Sequence, residues 1–193
     1  MHKESNLPKN IFELQQLVVN ENNTVAFEQL YLLFYKDLHR FAYRIIKSNH
    51  IAEEIVSDVF VQLWKKKSTL AQINNLRAFL YVAVKNLALT YLYKSKKQRV
   101  CWIEEFAGGP DIPCNNSSAD DLLNEKELSE ILNKAINNLP AKCKAVFKLV
   151  KEDGLKYHEA AKLMNLSIKT IENQMGIAIK RIASTLKADS YSN

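Results

Sequence analysis

The sequence predicts an all-α protein with two helical domains joined by a flexible acidic linker. Apolar residues form 47% of the 193-residue chain, whereas glycine and proline occur only four times each, and this composition favours a folded, mostly helical chain. Apolar side chains recur at three- and four-residue spacing in both halves of the chain, which is the period of amphipathic helices. The distribution of charge then separates the two halves.

Charge lies in three blocks along the chain. Residues 1–100 carry 15 Lys or Arg and 8 Asp or Glu, residues 101–125 carry 6 Asp or Glu and no Lys or Arg, and residues 126–193 carry 12 and 7. Two basic blocks around an acidic one indicate two polyanion-binding domains on a tether. The middle block collects Gly, Pro, Asn and Ser, as linkers do. It is a plain solvated connector, a linker whose negative charge keeps it off DNA, or one that runs through a basic channel. We expect domains at residues 1–99 and 127–193 and a linker at 100–126.

Several other classes of protein are disfavoured. No apolar run is long enough to span a bilayer, and residues 1–10 lack the apolar core of a signal peptide, so we expect a cytoplasmic protein without stable membrane insertion. Cys101, Cys114 and Cys143 fit neither a disulfide framework nor a zinc site. The four histidines are scattered, and no nucleophile–base pair or phosphate-binding glycine loop is evident. We therefore predict no enzyme activity, no metal and no cofactor.

Three helices are predicted in the first basic block, at residues 26–46, 51–67 and 76–97. Each has an apolar stripe at helical spacing. The residues expected to be buried are Phe27, Leu30, Tyr31, Phe34, Leu38, Phe41, Ala42 and Ile45 in the first helix, Ile55, Val56, Val59, Phe60, Leu63 and Trp64 in the second, and Leu76, Phe79, Leu80, Ala83, Leu87 and Tyr91 in the third.

The polar side of the second helix is acidic. It carries Glu53, Glu54, Ser57, Asp58 and Gln62. Carboxylates near the start of a helix are stabilised by the helix dipole, which by itself would explain them. The functional alternative is an acidic docking face for a basic partner helix.

Tyrosines and basic residues are interleaved on the other faces of the third helix. These are Arg77, Tyr81, Lys85, Asn86, Thr90, Tyr93 and Lys94, followed by Lys96, Lys97 and Arg99. Cations for phosphates, together with rings and amides for unstacked bases, are typical of a single-strand-binding surface. A solvated face would look similar, but tyrosines on an exposed face favour the binding of nucleic acid.

Residues 157–182 have the pattern of a helix-turn-helix. Ala160 and Ala161 allow a second helix to cross closely, and Ser167 is a good N-cap for that second helix. The expected buried stripe of the second helix is Ile171, Met175, Ala178 or Ile179, and Ile182, and its opposite face carries Lys169, Thr170, Asn173, Gln174, Ile177, Lys180 and Arg181. These side chains suit base edges and phosphates in a major groove, although an ordinary helical hairpin with a solvated face would fit the same pattern.

Taken together, these segments resemble a known family. The segments AEEIVSDVFVQLW at residues 52–64 and NLRAFLYVAVKNLALTYL at 75–92 resemble region two of bacterial sigma factors. The segments LPAKCKAVF at 139–147, GLKYHEAA at 154–161 and SIKTIEN at 167–173 resemble region four. The combination is similar to the extracytoplasmic-function class, which keeps only these two domains and a linker.

For the first domain, the resemblance implies contacts with polymerase and with the minus ten element. The second helix would dock on the clamp coiled coil of core RNA polymerase through Glu53, Glu54, Ile55, Asp58, Gln62 and Leu63. The loop from Lys66 through Leu70 to Asn75 matches a loop that captures a flipped base. Asn86 matches an asparagine that reads the same element, with Arg77, Tyr81 and Lys85 nearby. Such a site opens the duplex because captured contacts offset the unpairing.

For the second domain, the resemblance implies that Lys169, Thr170, Glu172, Asn173 and Gln174 face the minus thirty-five element, with Lys180 and Ile177 on the same helix. Asn and Gln suit adenine, and Glu accepts from cytosine. Lys148 and Lys156 are candidate phosphate contacts. Many relatives have Ser followed by Lys or Arg where this chain has Gly176 and Ile177, so we expect weak binding of that element or a different element. Ile177 would contact a thymine methyl group.

The leading hypothesis is therefore an RNA polymerase sigma factor that directs promoter recognition and transcription initiation. Its expected partners are core RNA polymerase, promoter DNA and an anti-sigma factor. The alternative is a helix-turn-helix regulator that acts without polymerase, but such a regulator needs a two-fold dimer surface to read paired half-sites, and none is obvious in the sequence.

Overall fold

The computed structural model describes residues 10–96, 103, 106–107 and 122–190, and all regular structure among them is helical. The chain divides into two compact units, Met1–Gln98 and Arg99–Asn193. Most of the predicted linker, with Cys101 and Cys114, lies outside the described residues, as do Lys97 and Arg99. Among the described residues, no helix combines the length and the apolar composition needed to cross a bilayer.

Four α-helices and a 3-10 turn build the described part of the first unit. They are α1 (Ile11–Glu21), α2 (Thr24–Ile46), α3 (Asn49–Lys65), the 3-10 turn Lys67–Gln72 and α4 (Leu76–Lys96). Helix α2 is central, because α1, α3 and α4 all pack against it. Its side chains Leu30, Phe34, Leu38 and Phe41 are fully buried and form the middle of the core.

Asparagine side chains begin three of these helices. Asn10 Oδ1 accepts a hydrogen bond from Phe12 N (3.3 Å), Asn23 Oδ1 from Ala26 N (2.9 Å), and Asn75 Oδ1 from Ala78 N (2.9 Å). Each bond satisfies a backbone donor that lacks a partner inside its own helix. The predicted bounds of α2, α3 and α4 are confirmed to within two residues.

Helix α1 is absent from the sequence-based prediction. Its signal is short but present: Leu14 and Val18 form one buried stripe after the Asn10 cap. Gln15, a polar residue, is also buried on this helix. A polar side chain inside a short apolar stripe weakens the periodic pattern, which explains the omission.

The predicted phase of α4 is partly wrong. Tyr81, expected on a polar face, is 0% exposed, whereas Phe79 and Tyr91, expected to be buried, are 45% and 39% exposed. The observed buried stripe is Leu76, Leu80, Tyr81, Val84, Ala88 and Leu92. Because α4 carries apolar side chains on nearly every side, its sequence allows two stripes, and packing against α2 and α3 selects one of them.

The second unit is built around one long C-terminal helix. Its elements are α5 (Leu122–Asn137), α6 (Ala141–Phe147) continuing into the wider π turn Lys148–Glu152, α7 (Tyr157–Met164) and α8 (Ile168–Ser190). Helices α5, α6 and α7 all pack against α8. One core cluster joins three of these helices and consists of Ala135, Ile136, Leu139, Cys143, Ala178 and Ile182, with Phe147 and Leu186 packed against it.

The turn between α7 and α8 has the predicted helix-turn-helix geometry. Asn165 ends α7 in the left-handed conformation (φ 55°), and Leu166 N donates to Ala161 O at 2.9 Å, which closes the helix end. Ser167 Oγ accepts a hydrogen bond from Thr170 N at 3.0 Å, so the predicted N-cap is confirmed. Ala160 and Ala161 are buried, and α8 packs on α7 as expected for small residues at a helix crossing.

Gly176 lies on the exposed side of α8, and a methyl group built there meets nothing within 4 Å. Glycine inside a helix costs roughly 1 kcal/mol relative to alanine. We therefore expect Gly176→Ala to raise the free energy of unfolding of the second unit by about 0.5–1 kcal/mol. Urea unfolding followed by far-UV circular dichroism measures this change.

A matched control is Ala183→Gly, at another exposed position of the same helix. It should lower the free energy of unfolding by a similar amount. A loss of stability in Gly176→Ala would show that the backbone at this position needs glycine.

Candidate nucleic-acid interface

Helix α8 presents most of the side chains that the sequence assigns to the major groove. The exposed ones are Lys169, Glu172, Asn173, Ile177 and Lys180. Lys169 Nζ lies 3.4 Å from Glu172 Oε2, so this pair is partly neutralised in the free protein. Amide, carboxylate, ammonium and aliphatic groups on one helix can contact base edges, phosphates and thymine methyl groups.

Thr170 and Gln174 are only half-exposed, because each is held by a neighbour. Thr170 Oγ1 lies 2.8 Å from Ser167 Oγ, and Gln174 Oε1 accepts a hydrogen bond from the buried thiol of Cys143 at 3.0 Å. Burial raises the pKa of that thiol, although nearby Arg181 partly opposes the shift. The thiol therefore stays protonated at neutral pH and orients the Gln174 amide from α6.

The two lysines proposed as phosphate contacts lie in different surroundings. Lys156 is exposed just before α7, where its backbone N–H donates to Glu159 Oε2 at 2.8 Å. Lys148 is 0% exposed in the π turn. The expectation that Lys148 contacts phosphate is therefore wrong for this conformation, because Lys148 lies one helical turn after the buried Ala145 and on the same side.

The loop between α3 and α4 is a tightly ordered segment. Lys66 ends α3 on the surface, and its carbonyl accepts hydrogen bonds from Thr69 N (3.0 Å) and Thr69 Oγ1 (2.9 Å). Leu70, within the 3-10 turn, is fully buried and anchors the loop. Asn75 is exposed, but its side chain caps α4. Lys66 and Asn75 are therefore exposed at the two ends of the loop, and Leu70 is structural.

The candidate single-strand surface of α4 differs from the predicted one. Tyr81 packs against Phe41 with ring centroids 4.8 Å apart and is inaccessible. Phe79 is exposed instead; it lies one turn after Asn75 and two turns before the exposed Asn86, and the three share a face. A ring and two amides on one face can stack on bases and hydrogen-bond to them.

Two basic residues of α4, Arg77 and Lys85, are partly enclosed. Arg77 forms an ion pair with Asp37 of α2 at 3.5 Å, and its guanidinium lies 5.5 Å from the Phe34 ring centroid. Lys85 is half-buried, and burial lowers the pKa of its ammonium group. Arg77 therefore lies on the side of α4 that packs against α2, about 200° around the helix axis from Phe79, and Lys85 lies about 100° from Asn86.

Helix α3 has an exposed acidic ridge. Glu53, Glu54, Asp58 and Gln62 are exposed, and His50 Nδ1 lies 3.5 Å from Glu54 Oε1. Ile55 and Leu63, predicted to contact polymerase, are only 6% and 5% exposed, so in this conformation they belong to the core. The exposed apolar residue on this side of α3 is Val61.

A row of aromatic rings runs beside the acidic ridge. Neighbouring ring centroids lie 4.9–5.9 Å apart in the order Trp64, Phe27, Phe60, Tyr31, Tyr35, His39. Burial, with Glu53 and Tyr31 nearby, raises the pKa of Tyr35. Part of this row borders an open apolar groove of about 470 Å³ between α2 and α3, and Ser57 lies both in this groove and on the ridge.

The described part of the chain offers no metal site, since no three His, Cys, Asp or Glu side chains come together in a way that could hold an ion. Cys143 is a free and buried thiol. His50 and His158 lie within 4 Å of Glu54 and Glu159, which are single carboxylates rather than ligand sets.

Comparison with protein families identifies the family to which this chain belongs. The model of Sigma-70 region 2 matches residues 30–98, and that of Sigma-70, region 4 matches residues 129–182. This chain is a sigma-70 family sigma factor of the extracytoplasmic-function class. The sigma factor directs promoter recognition with RNA polymerase and is not an enzyme, which confirms both predictions.

Two named relatives align with this chain over most of their length. The sigma factor is 20% identical to the ECF RNA polymerase sigma factor SigM of Bacillus subtilis, over 82% of this chain and 93% of that one. It is 24% identical to the ferric citrate uptake sigma factor FecI of Escherichia coli, over 81% of this chain and 88% of that one.

A solved structure has the same fold. The sigma factor RpoE in complex with the anti-sigma factor NepR from Bartonella quintana aligns with a TM-score of 0.55 and 24% identity, over 84% of this chain and 98% of that one. The predicted all-α fold with a region two bundle and a region four helix-turn-helix is confirmed.

The Cys143 thiol makes a contribution to the stability of the sigma factor that depends on pH. Because burial raises the pKa of the folded thiol, the unfolded chain loses this proton first as pH rises above about 8.5. Unfolding is then favoured, and the stabilisation from the thiol decreases. We expect wild type to be more stable than Cys143→Ala at about pH 7.5 and this difference to narrow by about pH 9.5.

Urea unfolding of both proteins at the two pH values measures the difference. Titrations of other groups cancel because they are common to both proteins. A difference that stays constant with pH would show that the thiol has the same pKa in the folded and unfolded chains.

Proposed function

We propose that this sigma factor binds polymerase through the ridge of α3, captures the minus ten strand at the α3–α4 loop and the exposed face of α4, and reads the minus thirty-five element with α8. The observation that carries the proposal is that three separate polar surfaces, each in a segment matched by the family models, are exposed while the apolar stripes of the same helices are buried. The site of action would be the cytoplasm, where polymerase and DNA meet.

Charge and shape both support docking through α3. Glu53, Glu54 and Asp58 give the ridge a negative charge that is complementary to a basic helix of the polymerase clamp. The adjacent groove, lined by Phe27, Tyr31, Val61 and Trp64, would receive apolar side chains of the same clamp helix. Ile55 and Leu63 would then act by holding α3 against the core rather than by direct contact.

Capture of the strand is proposed because the hydrogen-bonded α3–α4 loop is followed directly by the exposed face of α4. Lys66 and Asn75 stand at the two ends of the loop, and Phe79 and Asn86 follow on α4. Lys85, about 100° around α4 from Asn86, would contact a phosphate as the strand passes, whereas Arg77 would hold α4 against α2 through its ion pair with Asp37. Tyr81 would support the face from below, through its packing on Phe41.

Binding of an anti-sigma factor is part of the proposal. Its support is the fold shared with a sigma factor solved in complex with such a protein. Occupation of the α3 ridge or the neighbouring groove by an inhibitor would block polymerase by direct competition for the same surface.

Charge reversal on the ridge tests polymerase docking. We expect the double substitution Glu54→Lys/Asp58→Lys to weaken affinity for core RNA polymerase roughly 100-fold, since like charges across an interface cost several kcal/mol. Titration of fluorescently labelled protein with core enzyme measures the affinity, and circular dichroism checks the fold.

The matched control is Glu13→Lys/Glu21→Lys, which makes the same change of charge at exposed positions of α1 in the same unit. It should leave the affinity for core enzyme within about twofold of wild type. Equal losses in the two double variants would mean that net charge, rather than the ridge, governs binding.

Reading by α8 is tested at Asn173. We expect Asn173→Ala to cost the polymerase holoenzyme about 1–3 kcal/mol of binding to its preferred minus thirty-five duplex and to remove discrimination at one base pair. Lys180→Ala should instead weaken all sequences alike and reduce the salt dependence by about one unit of slope. Competition binding with duplexes substituted at each position separates the two patterns; uniform weakening by Asn173→Ala would exclude base recognition by this residue.

A further inference from the structure

Gln15 of α1 lies outside the segment matched by the region 2 model but contacts a loop inside that segment. Its side chain is 3% exposed, and Nε2 donates hydrogen bonds to two backbone carbonyls of the α3–α4 loop, Leu70 O at 2.7 Å and Ile73 O at 3.0 Å. Gln15 lies before the start of the match at residue 30. The Gln15 amide therefore hydrogen-bonds α1, a helix outside the matched segment, to the loop proposed to capture the minus ten base.

A further hydrogen bond joins the C-terminal end of α1 to the same loop. Asn22, which caps that end in the left-handed conformation, accepts a hydrogen bond from Lys67 Nζ at the start of the 3-10 turn. Lys67 Nζ also lies 4.3 Å from the centroid of the Trp64 ring. The turn packs extensively on α1, with Leu70 fully buried.

We propose that Gln15 is a positioning residue for minus ten specificity: it fixes the backbone of residues 70–73 so that the loop is ordered before the flipped base arrives. This inference rests on the proposed role of the loop. Within the turn, Ile73 N donates to Leu70 O, so Gln15 binds both ends of one turn and sets its orientation on the domain.

Gln15 would act by preorganising the loop. A loop held in its binding conformation loses less entropy when a base enters than a loop that must first be ordered. The two bonds are made by a buried amide, where partners are hard to replace by water. Their loss should reduce selective capture about tenfold, without removing any group that touches DNA.

Gln15→Leu keeps a side chain of similar size and removes the donor. Gln16→Leu is the control, because it makes the same chemical change on the same helix at a residue whose recorded bond is only with Asn20. The probes are single-stranded oligonucleotides that carry the minus ten element of a promoter opened by wild-type holoenzyme, each with one base substituted in turn. The measured quantity is the ratio of affinities for matched and substituted strands.

This ratio does not depend on the fraction of folded protein, so a merely structural defect would leave it unchanged. We expect Gln15→Leu holoenzyme to lose about tenfold in the ratio for the captured base, and Gln16→Leu to keep the wild-type ratio. A wild-type ratio in Gln15→Leu would overturn the inference and leave the proposed function intact. If wild-type holoenzyme itself shows no preference at any position, the proposed role of the loop fails, and the inference fails with it.

Discussion

The packing of α2 against its neighbours is the contact on which region 2 depends. Leu30, Phe34, Leu38 and Phe41 are fully buried, and burial of side chains of this size contributes about 1.5–3 kcal/mol each. Because α3 and α4 must turn their apolar stripes toward α2, the orientation of their remaining faces is fixed. The exposure of the acidic ridge and of the outer face of α4 is therefore a consequence of core packing.

In region 4 a smaller apolar core likewise fixes the orientation of the outer helix, and polar side-chain contacts act together with that core. The core cluster holds α8 by Ala178 and Ile182, and the Ser167 cap fixes where the helix begins. Two contacts then restrict side chains on the outer face, since Thr170 is held by Ser167 and Gln174 by Cys143. These contacts restrict side chains on the outer face of α8, and they would lower the entropy lost if that face binds DNA as proposed.

Sequence periodicity predicted the fold and most of the outer face of α8, because the apolar stripes of α2, α3 and α8 each have one clear phase. It failed at α4, where apolar residues surround the helix and only tertiary packing places Tyr81 inside and Phe79 outside. It also missed Gln15, whose role depends on backbone carbonyls about 55 residues away along the chain. Lys148 was wrongly expected to contact phosphate because lysine is usually exposed, whereas this one lies one turn after the buried Ala145 and on the same side.

Run-off transcription of fragmented genomic DNA, with core RNA polymerase alone and with the sigma factor added, measures whether this chain confers promoter recognition through two DNA-reading surfaces. We expect new start sites that share two upstream elements at a fixed spacing. The absence of new starts, together with tight binding of duplex DNA by the protein alone, would show that this chain does not act as a promoter-recognition subunit.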